Sequence, residues 1–141
     1  MVIKSDIPLR GAMWSETIEA FKDIFTKTPN YSVFMLALSI GIMYDQRLVI
    51  EKDSEDENKS VPRNVINNND NGKLDFYFQA AILATRTEEL EEKTRLDLAF
   101  GDETTFNKIA FLTEFANFVV MKLHELIGES PVISMENIKN F

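Results

Sequence analysis

The chain has 141 residues, with 23 acidic against 15 basic side chains and a formal net charge of −8. That balance argues against a general nucleic-acid coat, which needs cations to displace counterions from phosphates, and leaves room only for a local basic patch. Cysteine is absent, so disulfides, thiolate metal sites and thiol nucleophiles are excluded together.

A chain of this size buries about 68% of its extended-chain surface, enough for one core without staples. A single domain spanning 1–141 is the expectation. The opening Met1-Val2-Ile3-Lys4-Ser5-Asp6 has no charged segment leading into an apolar one, so no secretory signal is read there. The longest apolar stretch, 109–127, is interrupted by Glu114, Asn117, Lys122, His124 and Glu125, which is not the pattern of a membrane span. The cytoplasm is the expected compartment. Eleven Phe and six Met point to a thick helical core or to a buried subunit interface.

Residues 3–10 alternate, with Ile3, Ile7 and Leu9 on one face and Lys4, Asp6, Pro8 and Arg10 on the other. They read as a short edge strand, since Pro8 cannot donate to a ladder. From Trp14 to Lys27 the apolar Trp14, Ile18, Phe21, Ile24 and Phe25 recur at helical spacing with acids and lysines between them, giving an amphipathic helix. Thr28-Pro29 reads as the start of a second helix, Thr28 capping and Pro29 in the first turn. That helix runs to about Tyr44 and is apolar nearly all round, so burial is expected, with Gly41 admitting a close neighbour. Arg47–Ile50 reads as a second short strand.

Residues 51–60 contain no apolar side chain and read as a mobile acidic loop. A turn of helix over 61–66 leads into the Asn-rich 67–72, turn chemistry with Gly72 at positive φ. A helix from Leu74 to about Thr85 presents Phe76, Phe78, Ala80, Ala81, Ile82 and Leu83 as a broad apolar face. Thr87 caps the next helix, with acids in its first turn, and Gly101 ends it. The last long helix spans about 103–127 and stops at Gly128 with Pro131 beyond. It is apolar on too many sides for a surface helix and is expected to be the central post. Val132, Ile133, Met135, Ile138 and Phe141 indicate that the tail docks. The fold class is therefore mainly α, a compact helical domain around a long central C-terminal helix with a minor N-terminal strand component.

No constellation amounts to an active site, so neither a catalytic residue nor a cofactor is assigned. A calcium loop is echoed by Asn67, Asn69, Asn71, Gly72 and Asp75, but Phe78 stands where a bidentate Glu is required. An Asx-rich turn is the better reading. Asp75, Glu91 and Lys93 can be matched to a nuclease motif only on adjacent strands, and the region reads as helix. Glu88, Glu89, Glu91 and Glu92 with Lys93 and Arg95 have the look of a solvated helix. His124 is the only histidine, which removes multi-imidazole metal sites; near a helix end it is expected to meet the terminal carbonyls. Nucleotide-binding loops and the nucleophile-elbow motif are missing from the sequence.

Strand 2–10 followed by helices 14–27 and 29–44 has the order of a ribbon-helix-helix unit, with Lys4 and Arg10 as candidate DNA contacts. Asp6 and Pro8 on the same face oppose that use. The charge is unevenly spread: residues 1–48 carry five basic and five acidic groups, whereas 77–141 carry six against eleven. Any DNA contact belongs to the neutral N-terminal block.

Two segments carry a family likeness. Thr28 to Ile50, in which Pro29-Asn30-Tyr31-Ser32-Val33-Phe34-Met35 leads through Gly41 to Gln46-Arg47-Leu48-Val49-Ile50, resembles part of the DNA phosphorothioation-associated protein 4 type of accessory protein. The later run from Phe106 to Asn117, ending Glu114-Phe115-Ala116-Asn117, is similar to that family's acidic-aromatic helix, in the same order. The resemblance implies an accessory role in a bacterial DNA modification or phage-defence system and carries no catalytic set.

The expected function is a non-enzymatic accessory or interaction subunit acting on a protein partner or as a homodimer. The alternatives are an acidic DNA-mimicking inhibitor, with the carboxylates of 87–99 and 51–57 on one face, and a ribbon-helix-helix-like DNA-binding dimer. No small-molecule substrate and no membrane partner is expected.

Overall fold

The structure, a computed structural model, describes residues 3–50, 59–85, 90–101 and 106–128. In chain order the elements are β1 (Ile7–Leu9), α1 (Ala12–Ile24), α2 (Asn30–Tyr44), β2 (Lys59–Val61), α3 (Arg63–Asn69), α4 (Lys73–Ala84), α5 (Glu92–Phe100) and α6 (Lys108–Ile127). The architecture is mainly helical with one two-stranded antiparallel sheet, as the sequence pattern requires.

Helix α6 is the axis of the packing. It buries Phe111, Leu112, Phe115, Ala116, Val119, Val120 and Leu123, and α1, α2 and α4 all lie against it. These seven residues spread over about half of the helix circumference, so more than one neighbour is needed to cover them. Phe78, Phe106, Phe111 and Phe115 form a chain of rings at one end, with Phe111 and Phe115 edge to face at 5.2 Å between centroids. The helix starts later than its sequence pattern implies. Asn107 accepts from the Ala110 N–H at 3.0 Å and caps the first turn, so Phe106 precedes the helix; residues 102–105 lie outside the described residues.

Gly41 sets the crossing of α2 on α6. A Cβ at this position would stand 2.3 Å from the Phe115 carbonyl oxygen, so only glycine permits the approach. At the start of α2 the Thr28 hydroxyl donates backward to the Phe25 carbonyl at 2.7 Å and does not cap; Pro29 holds the N-cap position. Its ring removes one of the donors that a cap would have to satisfy.

The alternation of residues 3–9 holds, with Ile3, Ile7 and Leu9 buried and Lys4, Asp6 and Pro8 exposed. The partner of β1 is not 47–50 but β2, in the register Ile7 with Val61 and Leu9 with Lys59. Lys59 and Ser60 are therefore strand, although they are polar: in a two-stranded ladder the backbone supplies the pairing and one face stays in water. The rest of the 51–60 loop lies outside the described residues. Val61 ends the strand and the helix begins at Arg63. Segment 47–50 has no ladder at all, because its backbone is taken by α6: Leu48 N–H donates to Glu114 O at 2.9 Å and its carbonyl accepts from Asn117 Nδ2 at 3.0 Å.

The Asn-rich stretch divides. Asn67 and Asn69 complete α3, while Asn71 and Gly72 turn with φ of 49° and 81°. Asp70, buried, accepts from the Leu74 N–H at 3.0 Å and so ties down the start of α4. In α4 the residues Leu74, Phe78, Ala81 and Ile82 point inward, but Phe76 and Leu83 are exposed, so its apolar face is narrower than the composition indicates. Cap residue Thr87, acids Glu88 and Glu89, and the tail from 129 all lie outside the described residues.

Candidate interaction surface

Fifteen residues of α2, Asn-Tyr-Ser-Val-Phe-Met-Leu-Ala-Leu-Ser-Ile-Gly-Ile-Met-Tyr, contain no charged side chain. A helix of that composition is normally enclosed. Here one side, Val33, Phe34, Ala37, Leu38 and Gly41, is buried against α6 and its neighbours. The opposite side runs through Ser32, Leu36, Ser39 and Met43, spaced four, three and four apart, which keeps them on one stripe. Leu36 is 48% exposed, Met43 76% and Tyr44, at the helix end, 58%.

The stripe continues sideways into an apolar groove of about 220 Å³ between α1, α2 and α6. Phe21, Phe25, Leu36, Ile40 and Leu123 line it, and Phe25, just past the end of α1, is 46% exposed. The expectation that α2 lies deep is therefore corrected. Its neighbours cover one side, and among the described residues the other remains open. The signal was in the sequence as the missing charges, but periodicity cannot say on which side packing stops.

A buried amide holds this region in register. Asn117 of α6 accepts from Trp14 Nε1 at 2.8 Å and donates to Leu48 O, joining α1, α6 and the chain that leaves α2. Both ends of the amide are used, so the polar group sits in an apolar helix without an unmet bond. Arg47 lies over the Phe111 ring at 5.1 Å and 3.6 Å from the Glu114 carboxylate. The sequence marks Asn117 as a polar interruption of an apolar stretch, but its partners Trp14 and Leu48 lie too far along the chain for spacing to show the junction.

Lys4 and Arg10 both line a cleft of about 640 Å³ formed with Val49, Ile50 and the start of α6. Asp6 and Glu114 share those walls, so the cleft is mixed in charge. Asp6 is further committed, accepting from the Arg63 N–H at 2.8 Å, while Arg63 Nη1 donates to Lys4 O at 3.3 Å. The order strand, helix, helix is present, yet β1 has a partner within its own chain.

The remaining candidates are dispersed. Asn67 exchanges two hydrogen bonds with the Ile3 backbone, and Asn69 donates to Val65 O at 2.7 Å, so neither faces a common cation position. Among the described residues no group of three metal-ligating side chains comes together. Asp75 lies in the first turn of α4 and Glu91 and Lys93 at the start of α5, on helical elements that do not form the paired strands a nuclease needs. His124 does not meet the carbonyls of its own helix end; its Nε2 contacts the Glu16 carboxylate on α1. For the DNA-mimic alternative, residues 51–57 and Glu88 and Glu89 lie outside the described residues.

Among the described residues, Glu19 and Tyr31 have shifted ionisation. Glu19 is held below the usual carboxylate range by its hydrogen bond and attraction to Lys59 at 3.0 Å, which links α1 to β2. Burial pushes the Tyr31 phenol up, aided by the nearby Asp70 carboxylate and by Tyr77. No helix among the described residues is long and apolar enough to cross a membrane. Compared with protein-family models, curated proteins and solved structures, the chain matches none of them.

Proposed function

We propose that this chain is a non-enzymatic accessory subunit of the cytoplasm that works through protein–protein contacts made by the open face of α2, in the service of a bacterial DNA-modification or phage-defence system. The observation that carries the contact role is the uncharged, solvent-exposed stripe of Leu36 and Met43 with its adjoining groove. Exposed apolar surface of this kind is costly to keep on a free protein and marks an interaction site. The link to DNA modification rests on the two segments similar to that accessory family. They meet in space, Gly41 against Phe115 and Leu48 against Glu114 and Asn117, so the likeness concerns one structural unit.

The test is made in the native host. A chain carrying Leu36→Glu should fold and accumulate normally yet lose its effect on DNA modification or phage resistance. Full function of that variant overturns the contact role; a deletion that leaves both processes unchanged overturns the assigned system.

A second reading is favoured by the place of Lys4 and Arg10 on the walls of one cleft. It predicts duplex binding that weakens with salt and with Lys4→Ala and Arg10→Ala. Failure to bind duplex at low salt removes it.

A further inference from the structure

The stripe on α2 has a pattern of its own. In order it is Ser32, Leu36, Ser39 and Met43: small, large, small, large. When two such helices lie antiparallel about a two-fold axis passing between residues 37 and 38, Leu36 comes level with Ser39 of the other copy, and Ser32 with its Met43. Every large side chain then meets a serine. A two-fold interface requires this self-complementarity, because the same patch must serve as both surfaces. The Ser39 hydroxyl already donates to Leu36 O at 2.9 Å and can be covered without losing its bond.

Charge favours the same occupant. Two copies of a chain with net charge −8 repel one another, most strongly through the acidic residues beyond 48. Residues 1–48 are neutral overall and α2 is uncharged, so this face lets copies approach with the least repulsion. It also offers a foreign charged partner nothing to recognise. Leu36, Met43 and Phe25 each expose on the order of 100 Å². Counted on both copies they supply roughly 600 Å², and Ser32, Ser39 and the walls of the flanking groove extend this toward the roughly 1,000 Å² at which dimers become specific.

Resting on the interaction role proposed above, we infer that the occupant of the α2 face is a second copy of this chain, docked antiparallel through α2 with Leu36 against Ser39 and Met43 against Ser32. The full chain sediments as a dimer at micromolar concentration, and high salt does not dissociate it. Leu36→Glu and Met43→Glu each weaken the dimer by at least about 30-fold, with unchanged helical circular dichroism. Ser39→Leu separates a fitted interface from general stickiness: it adds exposed apolar surface, yet fills the socket and weakens the dimer.

Because the native chain lacks cysteine, mixing Leu36→Cys copies with Ser39→Cys copies gives a disulfide-linked heterodimer on oxidation. Ser32→Cys alone gives none, its two positions standing about 16 Å apart along the helices. A chain that stays monomeric to hundreds of micromolar overturns the inference, as does a dimer that survives both glutamates or tightens with Ser39→Leu. A monomer whose Leu36→Glu form still loses function in the host ends the self-association alone and leaves the interaction role standing. A native chain that is itself monomeric, with a Leu36→Glu form that is fully functional, ends both; a native dimer whose monomeric Leu36→Glu form is fully functional ends the interaction role alone.

Discussion

Helices α2 and α6 pack on each other at Gly41 and Phe115, and both are rich in apolar residues, yet they stand differently to solvent. Helix α6 carries charged and titratable side chains that all have work at its margins. Lys108 lies over the Phe78 ring, Glu114 beside Arg47, Lys122 near Glu125, and His124 against Glu16. Between them seven of its apolar residues are buried and the others, Ala110 apart, are half-buried. Helix α2 has no charge to mark a solvent side and is nevertheless the one left open. Apolar content thus measures how much surface a helix would gain by covering, and only the supply of neighbours decides whether the same chain provides the cover.

The largest test of that contrast is Phe115→Ala in α6. Removing a fully buried ring at the helix crossing should cost about 3–5 kcal/mol in urea unfolding. Gly41→Ala follows, at about 1–3 kcal/mol, because the new methyl meets rigid backbone and the helices must separate. Leu36→Ala, measured in dilute solution where copies are apart, should stay within about 0.5 kcal/mol. A loss like that at Phe115 would break the contrast, by showing that the face is covered within one chain.

The smallest effect is electrostatic and lies away from both helices' shared surface. Glu19 titrates below the usual carboxylate value of 4.5 in the folded protein. Its contribution is therefore present above that pH and is lost as pH falls through the lowered value. Thermal melts between neutral and acid pH should show a slightly steeper acid decline for the native chain than for Glu19→Gln.

Much of the architecture was legible because it follows from spacing alone. The alternation of Ile3, Ile7 and Leu9, the small residue at Gly41, the positive φ of Gly72 and the stop at Gly128 need no knowledge of distant chain. What failed depends on partners far along the sequence. Arg47–Ile50 has strand composition, but its backbone is claimed by α6. Lys59 and Ser60 have loop composition but meet an edge strand that needs only their backbone. The role of His124 is decided by a carboxylate on α1, and the open face of α2 by where its neighbours end. Of the candidate site, the apolar character was readable and the exposure was not. Lys4 and Arg10 were placed on one face by alternation, which their shared cleft repeats, while the carboxylates beside them came from separate elements.

The bond from Trp14 to Asn117 spans 103 positions, and that of Ile3 to Asn67 spans 64. During synthesis the N-terminal helix therefore leaves the ribosome long before its partners exist. Its indole has the Phe34 ring of α2 as an early neighbour, but its buried hydrogen bond cannot form until α6 has been made. Long-range closures of this kind slow folding and prolong the life of partly assembled chains. Trp14 is the only tryptophan, so the blue shift of its emission times that final closure without any added label. The first helix to be synthesised thus completes its buried hydrogen bond only with the last of the described helices.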